Sequence, residues 1–325
     1  MSSARLLSVG GAALGVLVLA VLPLGLNGYA VQVLMIGYFF VLLGVSWNLL
    51  AGFTGQFSLA QHAFATIGGY VSAAATVGLK LPLPVGIVAG MLVAALIGFG
   101  LGWLTLSMRG VYFAIATWAF AESVRILLSI NYQLTRGDMG LPVPFLFDTP
   151  DPVPAYELFV LVTALAVLLS AWLLRTKLGY RMRAIRDDQE LALAVGIDVV
   201  AWKRWVFVLS TALAGLAGAL YGHAVGLLTP SQAHFSQMAF VVIAVVLGGF
   251  RSLWGPVVGA LLAQGLAELL RFSAEARLIV FAVVVILIMR LYPPGIVGAI
   301  QAVASRVRVA SRRRARERQR AVPVL

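Results

Sequence analysis

Residues 6–79 read LLSVGGAALGVLVLAVLPLGLNGYAVQVLMIGYFFVLLGVSWNLLAGFTGQFSLAQHAFATIGGYVSAAATVGL and contain no Asp, Glu, Lys or Arg. A bilayer span needs about 20 mostly apolar residues, so this stretch is long enough to cross a membrane repeatedly. Over the whole chain of 325 residues, 61% are hydrophobic and only 11% are charged. Soluble domains carry about 25% charged residues. The composition therefore excludes a water-soluble enzyme and predicts an all-α, polytopic transmembrane helical bundle.

Uninterrupted apolar stretches predict about ten spans, at 6–26, 30–51, 58–78, 83–106, 111–130, 156–174, 205–227, 236–250, 254–270 and 276–292. The eighth is short and could instead be a re-entrant or tilted segment. The first could be a signal peptide, although its apolar stretch is long for one. We expect one transmembrane domain over residues 1–305 and a basic cytoplasmic tail over 306–325.

Charge placement predicts the orientation, because an excess of Lys and Arg marks the cytoplasmic side. The 175–204 connection carries seven Lys or Arg against four acids, whereas the 131–157 connection carries one Arg against four acids. We therefore place 175–204 in the cytoplasm and 131–157 outside. Residues 306–320 hold eight arginines, and ten spans put both termini inside. The net charge of +12 is thus explained by membrane topology, without nucleic acid.

Glycines recur at four-residue spacing on three helix faces, formed by Gly86 and Gly90, by Gly218, Gly222 and Gly226, and by Gly255 and Gly259. Small residues at this spacing let helix backbones approach closely in lipid. These glycines predict tight packing and need no transport role. Pro230 and Pro256 could break helices near the eighth and ninth spans.

Motifs of catalysis are missing from the sequence. It contains no P-loop, no H-E-x-x-H zinc motif and no G-x-S-x-G nucleophile motif. It has no cysteine, and its three histidines are far apart, which argues against a metal site. We expect no catalytic residue, no metal and no cofactor in this chain.

Polar residues run through WNLLAGFTGQFSLAQHAFATIGGY, residues 47–70, and include Asn48, Gln56, Ser58, Gln61, His62 and Thr66. Neutral hydrogen-bonding side chains beside glycines suit a helix break that lines a cavity. The alternative is a short cytoplasmic turn with ordinary interhelical hydrogen bonds. Because the polar residues continue well inside the third span, we predict that they line a solute path.

Glu122 and Arg125 lie three residues apart in the fifth span and share a helix face. Ionisable groups within a membrane usually face a cavity or pair with one another. We consider both residues candidates for the solute path, with a structural ion pair near the outer interface as the alternative.

The 175–204 connection is much longer than a simple turn between two spans. Its pattern predicts one amphipathic helix, around 180–195, that ends at Gly196. An ordered segment of this length suggests docking to a cytoplasmic partner. A helix lying on lipid headgroups is the alternative, but the four acids make it less favourable.

Several motifs in this chain resemble bacterial ABC importer permeases of the branched-chain amino acid family. RAIRDDQELALAVGID at 183–198 resembles the cytoplasmic coupling segment of that family. Further matches are SWNLLAGFTGQFSLAQHAFATIGGY at 46–70, RGVYFAIATWAFAESVRIL at 109–127, FVLSTALAGLAGALYG at 207–222, VVLGGFRSLWGPVVGALL at 245–262 and LYPPGIVG at 291–298. The resemblance covers roughly 35–300. The RAIRDD form resembles the M-type permease subunit more than its H-type sister.

The resemblance implies a subunit that moves branched-chain or related amino acids across the bacterial inner membrane by alternating access. It implies a heterodimer with a second permease, two cytoplasmic ATPases, an extracytoplasmic solute-binding protein and surrounding membrane lipid. The residues that would couple the chain to the ATPases are Arg183, Arg186, Asp187, Asp188, Glu190 and Gly196. Urea or a short amide remains an alternative solute. A secondary transporter is a further alternative, which neighbouring genes for ATPases and a binding protein would exclude.

Overall fold

The computed structural model describes residues 22–108, 110–149, 151–271, 279–281, 283, 286, 287, 290 and 295–299. Its helices are α1 (Gly28–Thr54), α2 (Gln61–Ala73), α3 (Leu83–Thr105), α4 (Val111–Ile130), α5 (Tyr132–Thr135), α6 (Val153–Arg175), α7 (Lys177–Asp187), α8 (Gln189–Ala194), α9 (Val199–Val225), α10 (Phe235–Gly248) and α11 (Gly255–Leu269). A π-helical turn over Ala74–Gly78 continues α2. Short 3₁₀ helices lie at Leu22–Gly25, Gly137–Met139 and Pro230–Ala233, and two-residue strands β1 (Leu141–Pro142) and β2 (Leu227–Leu228) form one antiparallel pair.

Five of these helices, α1, α3, α4, α6 and α9, are long and apolar enough to cross a membrane. Together with the other helices they confirm the predicted all-α membrane fold. The third predicted span begins at Gln61 rather than at 58, because the preceding residues are extended. The first and tenth predicted spans lie largely outside the described residues, as does the tail over 306–325.

The eighth predicted span is the short helix α10, with 14 residues. At 1.5 Å per residue it is about 21 Å long, whereas the hydrocarbon core is about 30 Å thick. Of the two alternatives given for this segment, a re-entrant segment therefore fits α10, because a tilted helix that crosses would have to be longer.

Helices α1 and α9 form the centre of the bundle. In the most apolar window of α1, 83% of residues are buried, compared with 17% in α4. Helix α1 packs against α6, α9 and α11, and α9 also packs against α2 and α3. Helix α4 therefore lies at the periphery of the single chain, with most of its surface open.

The predicted close approach of helix backbones is confirmed at Gly90, Gly218 and Gly259. A Cβ atom at Gly218 would lie 1.8 Å from the carbonyl oxygen of Ala65, and one at Gly259 would lie 1.9 Å from that of Ala244. Neither distance is compatible with a side chain, so the helix backbones are in direct contact there. Gly226 has a different role, because it ends α9 with a left-handed φ of 76°.

The charged connections lie at opposite ends of the bundle, separated by α6. We call the end that holds residues 175–204 the basic end and the end that holds residues 131–157 the acidic end. At the acidic end β1 pairs with β2 directly after α9. At the basic end the side chain of Arg186 reaches the carbonyl oxygen of Gly52, near the end of α1.

Two central helices are followed by segments that turn back into the bundle. Helices α1 and α9 are each 27 residues long, and each ends at a left-handed glycine, Gly55 or Gly226. After α1 the chain returns from the basic end over residues 55–60, which we call the first return. After α9 it returns from the acidic end over residues 226–234, the second return. The first return leads into α2, whose first residues are buried. The second return leads into α10, whose first three residues are exposed and whose burial begins at Met238.

Candidate translocation route and coupling element

The first return is the helix break that the sequence predicted. Its backbone finds partners inside the protein, as a break within a membrane requires. The indole nitrogen of Trp47 donates to the carbonyl oxygen of Ser58 at 2.8 Å, and the backbone N–H of Leu59 donates to the hydroxyl of Thr117 at 3.0 Å. The first return is therefore held by hydrogen bonds to α1 and α4.

Four buried side chains form a hydrogen-bond network where the first return enters α2. The Ser58 hydroxyl donates to Oε1 of Gln61 at 3.0 Å, and Nε2 of Gln61 donates to the Ser210 hydroxyl at 2.6 Å. Ser210 donates to the carbonyl oxygen of Ser46 at 2.7 Å. Gln61, Ser58, Ser46 and Ser210 have no exposed surface. The network joins α1, α2 and α9 near the middle of α9.

Sequence reasoning did not identify Ser46 and Ser210 as members of this site. Both lie in apolar helices, and they are 164 positions apart. A serine within an apolar helix gives no signal of a distant partner.

His62 connects the two returns. Its Nδ1 lies 2.9 Å from the carbonyl oxygen of Gln232, in the second return. The ring is buried beside the rings of Phe39 and Phe40, and Nε2 has no hydrogen-bond partner among the described residues. The sequence indicated a helix break at Pro230 but not this contact between the returns.

The remaining predicted residues of this stretch differ in how their polar groups are satisfied. The Thr66 hydroxyl donates to the carbonyl oxygen of His62 in its own helix. Asn48 donates from Nδ2 to the carbonyl oxygen of Ser252 at 2.9 Å, while its Oδ1 has no partner within the described chain. Gln56 is buried, and neither end of its amide has a partner there.

Glu122 and Arg125 form an ion pair on α4. Their side chains keep 35% and 23% of their surface exposed, so the pair lies on the open side of this peripheral helix. His234, the residue before α10, is close enough to interact electrostatically with Glu122. The ring of Trp118, one turn earlier on α4, packs edge-on against Phe235. The pair therefore lies beside the start of α10.

The coupling segment differs from its prediction in one respect. The expected single helix over 180–195 is wrong, because Asp188 ends α7 and begins α8. Its backbone is extended, and its carboxylate accepts hydrogen bonds from the backbone N–H groups of Glu190 and Leu191 at 2.9 and 3.0 Å. An aspartate in this role is a strong N-cap, and it divides the segment into two helices.

The helix end at Gly196 is confirmed. Its φ is 83°, and the backbone N–H of Ile197 donates to the carbonyl oxygen of Ala192 while that of Gly196 donates to Leu193. These two bonds form a Schellman motif. Near it Leu191 and Val195 expose 63% and 68% of their surface. The coupling segment thus presents apolar side chains at the basic end.

Two arginines attach the coupling segment to the bundle. Arg186 donates from Nη1 to the carbonyl oxygen of Gly52 at 3.2 Å and pairs with Asp187 at 2.8 Å. Arg183 donates to the carbonyl oxygen of Leu174 at 3.4 Å and stacks on the ring of Tyr180. The contact of Arg186 is three residues before Gly55, where the first return begins.

Comparisons with known proteins identify the family. The model of the branched-chain amino acid transport system / permease component family matches residues 29–289. The high-affinity branched-chain amino acid transport system permease protein LivM of Escherichia coli (strain K12) is 32% identical over 313 residues, covering 86% of this chain and 73% of the relative. The corresponding permease protein LivH of Salmonella typhimurium is 28% identical, covering 81% of this chain and 92% of the relative. No solved structure matches the chain.

These relatives confirm the family and the M-type character that the coupling motif predicted, since the identity to LivM exceeds that to LivH. They also confirm a permease subunit of an ABC importer rather than an enzyme, located in a membrane that it crosses several times. The chain belongs to the family of permease components of branched-chain amino acid transport systems.

Proposed function

We propose that this chain is the M-type subunit of a bacterial inner-membrane importer that takes up branched-chain or related amino acids. It pairs with an H-type permease, and two cytoplasmic ATPases and an extracytoplasmic solute-binding protein complete the transporter. The relatives named LivM and LivH support the pairing and the class of solute. The basic end faces the cytoplasm, because it carries the excess of Lys and Arg.

The contact between Arg186 and Gly52 carries the proposal. It ties the coupling segment directly to the end of α1, just before the first return. A displacement of α7 and α8 by an ATPase therefore acts on the backbone that leads to the buried network. Arg183, Asp187, Asp188, Glu190 and Gly196 shape the same segment.

The solute route follows the open face of α4 and the starts of α2 and α10. A charged pair facing lipid would be costly, so the open side of Glu122 and Arg125 faces the partner permease across a polar cleft. Asn48, Gln56 and His62 supply buried polar atoms without partners in the described chain. Ser58, Gln61 and Thr66 are hydrogen-bonded within the chain, and their part in the route stays a prediction.

Uptake by the assembled transporter tests the function. Proteoliposomes with both permeases, the ATPases and the binding protein should accumulate radiolabelled leucine when ATP is present, and should not accumulate urea. Arg186→Gln should lower leucine uptake at least several-fold while the transporter stays assembled. Arg251→Gln is the control, since this exposed arginine lies at the same end. Equal uptake by the two variants would contradict the coupling role, and uptake of urea alone would reassign the solute.

Cysteine labelling tests the orientation, because the native chain has no cysteine. Thr176→Cys and Ser305→Cys should resist a membrane-impermeant thiol reagent in intact cells, whereas Thr149→Cys should react. Ser305 lies outside the described residues, so its result also tests the predicted side of the tail. Labelling of all three from outside would contradict the orientation.

A further inference from the structure

An apolar crevice of about 380 Å³ opens between α6 and α9 at the basic end of the bundle. Helices α6 and α9 make few contacts with each other, and α1 and α7 close the space between them. Its walls include Leu49, Leu173, Leu178, Met182, Trp205 and Leu209. The volume lies within the range of about 300–1,000 Å³ that is typical of small-molecule sites.

The lining of the crevice has a composition typical of a membrane–water interface. Trp202 and Trp205 form part of its lining, and tryptophans are enriched where the hydrocarbon meets the headgroups. Helix α7 follows α6 after a single residue and buries Met182 and Ile185 while it exposes charged residues to solvent. The apolar walls of the crevice thus lie on the long apolar helices α1, α6 and α9, and its mouth lies beside the charged residues at the start of α7.

The mouth of the crevice is positively charged. Arg175, Lys177 and Arg181 are exposed beside it, and none of the three forms a salt bridge within the described residues. The guanidinium of Arg181 lies 4.8 Å from the ring centroid of Trp202, so this cation is held at the edge of the cavity. The acid next along α7, Asp187, is already paired with Arg186.

We propose that this crevice binds one anionic phospholipid of the cytoplasmic leaflet. An acyl chain fills the apolar space between α6 and α9, and the phosphate lies between Lys177 and Arg181. Basic pockets between transmembrane helices on the cytoplasmic side suit such headgroups, and the wholly apolar lining suits no polar solute. The site is separate from the proposed solute route, and it depends on the cavity and its cations rather than on the identity of the solute.

The site also explains why exposed cations flank the part of α7 that lines the crevice. Leu178 and Met182 lie one turn apart and line the crevice, and Lys177 and Arg181 precede them by one residue each. A bound lipid would thus contact α7, the helix that carries Arg186 and begins the coupling segment.

Lipid retention by the purified transporter tests this site. The complex is equilibrated in detergent with equal amounts of phosphatidylglycerol and phosphatidylcholine, and bound lipids are counted by native mass spectrometry. The wild type should retain phosphatidylglycerol preferentially. Arg181→Gln should lower this preference about five-fold, because a cation near an anionic headgroup contributes about 1 kcal/mol. Arg251→Gln, the matched control, should retain the wild-type preference.

A second variant tests the acyl-chain part of the site. Leu209→Trp fills the crevice and should lower retention of phosphatidylglycerol without removing charge. Equal retention of the two lipids by the wild type, or equal losses in Arg181→Gln and Arg251→Gln, would overturn the proposal. A photo-crosslinking amino acid at Trp205 that captured the partner permease instead of lipid would overturn it as well. None of these outcomes would contradict the proposed importer function, because leucine uptake tests that function separately.

Discussion

Replacement of Gln61 by leucine tests whether the buried network holds the bundle together. The change keeps the approximate volume but removes both hydrogen bonds of the amide, to Ser58 and to Ser210. Hydrogen bonds between membrane helices contribute about 0.6 kcal/mol each on average. The change also leaves the buried Ser58 hydroxyl without its acceptor, which costs about 1–3 kcal/mol. We expect the free energy of unfolding to fall by about 2–4 kcal/mol.

Thr66→Val is the matched control for this prediction. Thr66 is buried five residues further along α2, and its hydroxyl donates only within its own helix. It should therefore change stability much less than Gln61→Leu does. The assay is the folded fraction of the detergent-purified chain after a series of heating steps, measured by size-exclusion chromatography, alongside leucine uptake in proteoliposomes.

Stability and leucine uptake together distinguish two roles for Gln61, one that holds helices together and one that lines the solute route. A loss of stability in Gln61→Leu, with uptake per folded molecule retained, is expected if the amide fastens α2 to α9. Wild-type stability combined with reduced uptake would refute the fastening argument and favour the predicted path lining instead. A loss of stability equal to that of Thr66→Val would show that the interhelical bond to Ser210 contributes nothing.

Three further outcomes are expected. Gly218→Val should prevent stable folding, because a Cβ there would lie 1.8 Å from the carbonyl oxygen of Ala65, whereas Gly100→Ala, with open space around it, should leave the folded yield unchanged. Gly196→Pro should leave insertion intact but abolish solute-stimulated ATP hydrolysis, because proline cannot adopt the φ of 83° that ends α8; wild-type stimulation would contradict the coupling role. Truncation after Ser305 should retain most leucine uptake with some loss of expression, and near-zero uptake in a normally inserted truncation would show that the tail is essential.

Most of the helices were predictable from the sequence because a bilayer imposes their length and apolarity. Residues 83–105 and 111–130 are helical almost as expected, since each is an uninterrupted apolar run. The glycine faces were predictable for a related reason. In lipid, close approach of backbones requires small residues at helical spacing, and the spacing is visible without a structure.

The positions where helices end were harder to predict, because a polar residue can either lie on the exposed face of a helix or cap its end. Asp188 looks like one more charge on an amphipathic helix, yet it ends α7 and caps α8. The second return includes Leu227 and Leu228, which extend the apolar run of α9, so the predicted span ran on to 227. Only Pro230 indicated the break, because Gly226 was assigned to a packing face, and a proline does not show where the chain goes next. The contact of His62 with Gln232 depends on tertiary structure alone.

The contacts from the basic end to the centre form one continuous series. Arg186 binds the carbonyl oxygen of Gly52, and the first return leads from there to Gln61, which is bonded to α9 through Ser210. The adjacent His62 contacts Gln232 in the second return, two residues before the His234 that lies near Glu122. Because the first return lacks the internal hydrogen bonds of a helix, it can change shape at less cost than α1 or α9. Under the proposed coupling, motion of the segment around Arg186 would therefore be taken up by residues 55–60 and passed to the starts of α2 and α10, while the glycine contacts between α2 and α9 keep the remaining bundle rigid.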